Sequence, residues 1–458
     1  MNNLKAGFAR VDVTPPLGIG IVGYFKPRYA EGILDELKIS ALALSHEEEK
    51  VVFLSFDNCF ITADIAAKYR RRIADVSGIS EEAIFIHATH THNGPFLKRE
   101  KGSGLNFLDP DVTESMEDQY NDWVCHKMTD AVLMALNDLK EAKMGWGVGK
   151  APNVAFVRRF RMKDGSMQTN PGVNNPDIKE PIGEVDERVN VLRFDREEAE
   201  TIVLVNFGNH PDTVGGNMIS GDWPRLLCET VEKALDNTKC IFFNGAQGDV
   251  NHVNVHPTGG FLNDTFHDFD DVSRGYGHAR YIGRVVAGAV LQVYDKVKYV
   301  AVDSLRYMQR RIQVPSNMPK PEDIPEARRI NALHEAGRDE ELPYTGMMLT
   351  TVVAEAARML SLEHGPEFFE MDLCGVAIGN VVLVGIPGEP FTAIGRGLKD
   401  TAEWELVLPV CLVNGSWGYF PTKEAYDEGG YEARSSKFGA GVAETIVAEG
   451  KQLMRDLQ

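Results

Sequence analysis

Histidine is sparse in this chain, 12 in 458 residues, yet His90 and His92 fall together in Ala88-Thr89-His90-Thr91-His92-Asn93-Gly94-Pro95, with His87 immediately before it. The run follows the apolar stretch Ala83-Ile84-Phe85-Ile86, so it reads as a buried strand leaving into a Gly-Pro turn. Extended residues two apart project to one side, which would send His90 and His92 together into the space beyond the strand. Imidazole is the commonest protein ligand for zinc, and two such rings can supply one ligand and one neighbouring proton carrier.

Other strand ends carry similar chemistry. Phe207-Gly208-Asn209-His210-Pro211-Asp212 closes the apolar run Ile202 to Phe207, and His210 stands where His90 does, at a hand-over from strand to Gly-Pro-rich loop. A two-metal phosphoesterase also uses a Gly-Asn-His-Asp element, but the Asp-x-His and Gly-Asp-x-x-Asp elements that accompany it are missing upstream. Phe242 to Asn251 is a strand followed by a glycine-spaced loop ending in Gly248-Asp249-Val250-Asn251, where glycine permits close backbone approach or a tight turn with an Asp cap. His252 and His256 have helical ligand spacing, but Pro257 argues for loop histidines, with a second cation left open. Gly385-Ile386-Pro387-Gly388-Glu389-Pro390 offers one carboxylate at a further strand end, able to act as a ligand or to cap a helix from Thr392. Asn414 to Thr422, with Tyr419, and then Tyr426 and Tyr431 form a tyrosine- and glycine-rich run suited to a pocket wall.

The elements that must position these residues alternate between short apolar strands and amphipathic helices, the pattern of an α/β or mixed α+β protein with mixed sheets packed by helices and a site at strand ends. Strands are expected at Val51 to Phe56, Ile84 to Thr89, Ile202 to Phe207, Cys240 to Phe243, Phe369 to Ala377 and Val381 to Ile386. Helices are expected at Asp64 to Val76, Glu114 to Leu139, Trp223 to Leu235 with Asp222 as N-cap, Ser273 to Tyr294 and Gly441 to Asp456. Two stretches interrupt the alternation: a surface loop at 256–277 with the acidic Asp268-Phe269-Asp270-Asp271, and a proline- and charge-rich linker or lid at 315–343 with one short helix. Residues 1–458 are expected to form a single large catalytic domain with these two insertions.

Hydrophobic content of 43% and charged content of 25% are those of an ordinary globular protein. The net charge of −19 excludes nucleic acid as a main partner, because counterion release needs clustered Lys and Arg. The first residues have no signal-peptide core and no stretch approaches a membrane span, so the expectation is a cytoplasmic protein with no stable membrane anchor. Six singly scattered cysteines without CxxC spacing read as core thiols. The oligomeric state is open.

Taken in order, Gly7-Phe8-Ala9-Arg10-Val11-Asp12-Val13-Thr14-Pro15-Pro16, the His-Thr-His-Asn-Gly-Pro run, Asn209-His210-Pro211, Gly248-Asp249-Val250, Gly388-Glu389-Pro390 and the terminal tyrosines make the chain resemble the neutral/alkaline (non-lysosomal) ceramidases in their N-terminal catalytic domain. The resemblance implies one Zn2+ ion held by His90, His210, Glu389 and Tyr419, with His92 as proton carrier and Tyr431 as donor to the developing oxyanion. Arg159, in Val157-Arg158-Arg159-Phe160, matches a family arginine in the pocket. Asn251 stands where ceramidases carry serine, and no counterpart of the C-terminal β-sandwich of full-length ceramidases is expected. The expectation is a zinc-dependent hydrolase acting on a small-molecule substrate, cleaving an amide (N-acyl) bond by metal-activated water. Ester, lactone or small-carbohydrate chemistry, by hydrolysis or elimination, is the alternative at the same metal. A non-catalytic metal-containing binding protein is a further one, against which His92 and Tyr431 speak, since a structural site needs no spare acid or base.

Overall fold

In a computed structural model, the described residues are 3–25, 27–98, 115–259, 262–268, 270 and 272–458. Glu114, expected to open a helix, and Gly260, Phe261, Phe269 and Asp271 of the 256–277 loop lie outside them. The architecture is mixed α/β, with several sheets packed against helices.

The largest sheet has nine strands. Its main path runs Thr238–Asn244, Thr201–Phe207, Arg188–Arg196, Lys140–Lys150, Leu4–Asp12, Lys38–His46, Glu49–Phe56 and Ile84–Ala88, and Lys298–Val300 pairs with Lys140–Lys150. Central strands such as Lys38–His46 are buried on nearly every residue, which explains their unbroken runs of aliphatic and small residues. Pairing is antiparallel in the middle and parallel at both ends, where Glu49–Phe56 meets Ile84–Ala88 and Thr201–Phe207 meets Thr238–Asn244. Helices Ala63–Ser77 and Met116–Asn137 cover one part of the sheet, and Asp222–Ala234 with Tyr276–Tyr294 cover another around Trp223, Leu227 and Val286.

The sheet curls until its two ends meet. Ser55 Oγ donates to Phe242 O at 2.7 Å, and the Asn244 N–H donates to His87 Nε2 at 3.0 Å. A second sheet of four strands, Leu305–Pro315, Phe368–Ile378, Val381–Gly385 and Leu406–Val410, feeds the next residues into this seam. Cys411 N–H donates to Asn244 O at 3.0 Å and Asn414 N–H to Ile86 O at 2.8 Å. Strand ends from both sheets therefore open into one place.

Expected and observed elements agree closely for Ala63–Ser77, Ile84–Ala88 and Tyr276–Tyr294. Asp222 differs from its expected role. The helix Asp222–Ala234 has Gly221 as N-cap, and Asp222, at φ 56°, uses its carboxylate to accept from the Thr213 and Val214 N–H groups at 2.9 and 3.1 Å. It pins the loop after His210. Within 315–343 lies the helix Ile324–Glu335, and the helix Gly346–Ser361 follows, the two packing as a hairpin around Ala327, Ile330, Val353 and Ala356. Among the described residues no helix is long and apolar enough to cross a membrane.

Candidate metal centre

Strand Ile84–Ala88 delivers the first two histidines, but not by extended alternation. His90 has φ 76°, a left-handed turn that ends the strand geometry. Such a conformation is uncommon for histidine and persists where the surroundings dictate it. Here the His90 N–H donates to Asn58 O at 2.8 Å and the His92 N–H to Pro211 O at 3.1 Å. The two rings still converge, with Nε2 atoms 3.3 Å apart and planes at 88°.

His210 arrives from Thr201–Phe207 through Gly208, where a Cβ would stand 2.4 Å from Ala246 O. Only glycine allows the two strand-end loops to cross this closely. His210 Nε2 lies 3.0 Å from His90 Nε2, and Glu389 Oε2 lies 3.2 Å from His90 Nε2 and 3.6 Å from His210 Nε2. All three side chains are buried.

The hydrogen bonds behind this cluster decide what it can hold. His90 Nδ1 lies 2.7 Å from Cys59 O, and His210 Nδ1 3.3 Å from Gln247 O. Backbone carbonyls only accept, so both Nδ1 atoms carry protons and both neutral rings present lone pairs at Nε2. Three buried acceptors then face one another, a repulsive arrangement that a cation resolves. A tetrahedral ion with arms of about 2.0–2.1 Å sets its ligand atoms roughly 3.3 Å apart, in the middle of the observed separations. The residues therefore fit a divalent metal. Cys59, His90 and His92 also group closely enough to be considered, but His90 Nδ1, which faces the Cys59 thiol at 3.7 Å, is engaged with the carbonyl. The Nε2 cluster is the better site.

Without a cation, a proton takes its place. Burial opposes charge on His90, yet Glu389 across the gap and Cys59 hold its pKa well above that of ordinary imidazole. Burial, reinforced by Arg158, drives His210 well below it. Burial would raise Glu389, but His90 and Arg158 hold its carboxyl below the usual range. His92 is pushed down to about 3 by burial and is neutral at physiological pH.

The register of a short parallel pair, Glu389–Pro390 with Tyr419–Phe420, sets Glu389 beside Tyr419. Gly248 makes room, since a Cβ there would lie 2.5 Å from Glu389 O. Tyr419 and Tyr431 rings are 5.5 Å apart, and the Arg158 guanidinium lies 5.3 Å from the Tyr419 ring. Burial pushes both phenols up, so they stay protonated in the cation-free protein. His92, His210, Arg158, Tyr419 and Tyr431 line one cleft of about 110 Å³, whose opposite wall includes Met347, Leu349 and Val353 of the helical hairpin.

Several sequence candidates stand elsewhere. His87 is satisfied at both nitrogens, by Cys411 O at 2.8 Å and the Asn244 N–H. Arg159 donates to Glu428 at 3.1 Å and to Gly429 O at 3.2 Å, and does not line the cleft; its neighbour Arg158 does, held by Glu432 at 2.6 Å. Asp249 accepts from Thr392 N–H at 2.7 Å and Oγ1 at 3.0 Å, satisfying the start of the helix Thr392–Lys399 and leaving Glu389 to the histidines. Among the described residues neither His252 nor His256 joins a metal-competent group, and His252 Nε2 meets Ser273 O at 3.0 Å. Asn251 lines the cleft and donates to Asn170 Oδ1 at 3.0 Å. Asp212, Arg274 and the hairpin residues were not singled out by sequence, because nothing local marks contacts made across such long separations.

Mixed sheets bring two imidazoles and a carboxylate together, with His210 also lining the cleft, an arrangement that supports a metal-dependent hydrolase. Residues 4–252 match the family model described as neutral/alkaline non-lysosomal ceramidase, N-terminal. The chain belongs to that family. Among solved structures, a neutral ceramidase from Pseudomonas aeruginosa is similar at 15% identity and a TM-score of 0.72, covering 99% of this chain and 74% of the other. A ceramidase complexed with C2 is similar at 16% identity and a TM-score of 0.70, with the same coverage. A comparison with curated proteins gave no match.

Proposed function

We propose that this protein is a zinc-dependent amidohydrolase, one catalytic unit that cleaves the N-acyl bond of a small-molecule substrate. His90, His210, Glu389 and Tyr419 would hold the ion. The observation that carries this reading is the convergence of His90 Nε2, His210 Nε2 and Glu389 Oε2 within 3.0 to 3.6 Å, with both Nδ1 protons committed to carbonyls. Family membership and the similarity to ceramidases support an amide as the scissile group.

Zinc, when bound, supplies a Lewis acid that lowers the pKa of water and polarises an acyl oxygen. His92, neutral and beside the ligands, takes the proton of the attacking water at Nε2 and returns it to the leaving nitrogen. Tyr431, protonated in its buried position, donates to the acyl oxygen as negative charge develops there, a contribution of about 3 kcal/mol for one such donor. Arg158 fixes the Tyr419 side of the cleft through its pairing with Glu432. The cleft beside the ligands, about 110 Å³, gives a small-molecule substrate access to this cluster between the tyrosines and the helical hairpin.

Metal analysis combined with a panel of N-acyl compounds tests the reading. Purified protein should carry about one zinc per chain, His90→Ala should lose both metal and turnover, and His92→Ala should keep the metal while losing turnover. Full zinc in His90→Ala, or unchanged amide cleavage in His92→Ala, overturns it.

A further inference from the structure

Two residues past His210, Asp212 presents its carboxylate to the far nitrogen of His92. His92 Nδ1 and Asp212 Oδ1 stand 3.8 Å apart, and Nδ1 is buried without a hydrogen-bond partner among the described residues. The opposite ring nitrogen faces His90 Nε2 at 3.3 Å. One edge of the ring thus addresses the ligand cluster and the other addresses an acid.

That acid is firmly placed. Arg274 donates to Asp212 Oδ1 from Nε at 3.1 Å and to Oδ2 from a terminal nitrogen at 2.8 Å, and the Tyr24 hydroxyl donates to Oδ1. Arg274 is gripped in turn by both oxygens of Asp270, at 2.6 and 2.9 Å, and pairs with Asp268 at 3.3 Å. The imidazole is walled by Gly23, where a Cβ would lie 2.8 Å from its Cγ, and by the Tyr24 ring at 5.6 Å. A purely structural ion pair would need only Arg274. The unpartnered Nδ1 directed at the same carboxylate asks for a second role.

We propose that Asp212 is the positioning residue of His92: it accepts the Nδ1 proton, fixes that tautomer and leaves Nε2 as the base on the ligand side, while Arg274 and the acidic loop hold Asp212 in place. This rests on His92 being the proton carrier. The separation of 3.8 Å is longer than a hydrogen bond; catalytic hydrogen bonds are often long in substrate-free sites and tighten in the complex. The proton of the attacking water passes to His92 Nε2 and then to the leaving nitrogen, and Asp212 exchanges none. The loop at 256–277 thereby gains a task, since Asp268 and Asp270 set the arginine that sets the carboxylate.

Nitrogen NMR of zinc-loaded protein labelled in its imidazoles reads the tautomer directly. Wild-type His92 should carry its proton on Nδ1, and Asp212→Asn should shift it toward Nε2. In kinetics on a cleaved N-acyl substrate, Asp212→Asn should lower kcat by about 10²–10⁴-fold, the range of a general acid–base group, with KM within a few-fold and zinc content unchanged. Asp212→Glu should restore part of the loss, Arg274→Lys should give an intermediate loss, and Asp212→Asn should add nothing in a His92→Ala background. An unchanged tautomer in Asp212→Asn, or a full additional loss in the His92→Ala background, overturns the proposal. If the wild type cleaves no amide, the amidohydrolase reading fails, and the NMR comparison still decides the placement of His92 by Asp212.

Discussion

Gly23→Ala is a stringent probe of how backbone packing prepares the site. Gly23 has φ 115°, a conformation that side chains other than hydrogen rarely adopt, and a Cβ there would stand 2.8 Å from His92 Cγ and Nδ1 and 2.9 Å from its Cβ. The histidine cannot withdraw by moving its backbone. Its N–H is bonded to Pro211 O and its carbonyl accepts from Arg28. The strained φ costs about 1–3 kcal/mol and the overpacking about 1–3 kcal/mol, so the variant should be destabilised by about 2–6 kcal/mol with the His92 ring displaced. A displaced general base forfeits about 10²-fold or more in turnover, whereas His90, His210 and Glu389 are untouched and should retain zinc. Denaturant unfolding gives the first quantity, kcat on an N-acyl substrate the second and metal analysis the third. Wild-type stability together with wild-type turnover would refute the argument that this glycine exists to admit the ring.

Zinc affinity should depend on pH. Burial works against a charged His90, but Glu389 holds its pKa above the ordinary imidazole value. In the metal-free protein that proton therefore contributes stability that is complete below about pH 6.5 and is lost as pH rises through the raised value. Zinc must displace it, so affinity should rise by about tenfold per pH unit across that window, with proton release visible by calorimetry in buffers of different ionisation enthalpy; a flat profile would contradict the cluster's electrostatics. Arg158→Lys should lose turnover because its fork spans Glu432 and the Tyr419 side of the cleft, while Arg159→Lys should keep turnover and lose only stability at Glu428. Equal turnover losses in the two variants would count against Arg158 as the cleft arginine.

Local chemistry was readable along the chain, whereas direction was not. The apolar run before His90 and the Gly-Pro turn after His92 marked a strand end correctly, yet the left-handed φ of His90 depends on Asn58 and Pro211, which belong to other segments. Adjacent strand residues face opposite ways, so choosing between Arg158 and Arg159 is choosing a face, and composition does not reveal it. The Gly248-Asp249 pair read equally well as turn or ligand loop, and it serves as both close-approach glycine and helix cap. Helix Gly346–Ser361 escaped notice because Thr350-Thr351-Val352-Val353 is β-branched and weak in helix propensity, and its packing against Ile324–Glu335 supplies what propensity lacks. Asp212 acquires its partner Arg274 from 62 residues further on, a relation invisible without the fold.

The match to the family model stops at residue 252, whereas Glu389 and Tyr419 come from the second half of the chain. The border of that match and the border of the metal set therefore differ. A fragment ending near residue 252 would retain the whole stretch that the family model matches and only two of the three converging acceptors. Kinship over that stretch alone is no guide to whether a given relative can hold its ion, and the later Gly-Glu-Pro turn with its paired tyrosine is the place to look before crediting one with turnover.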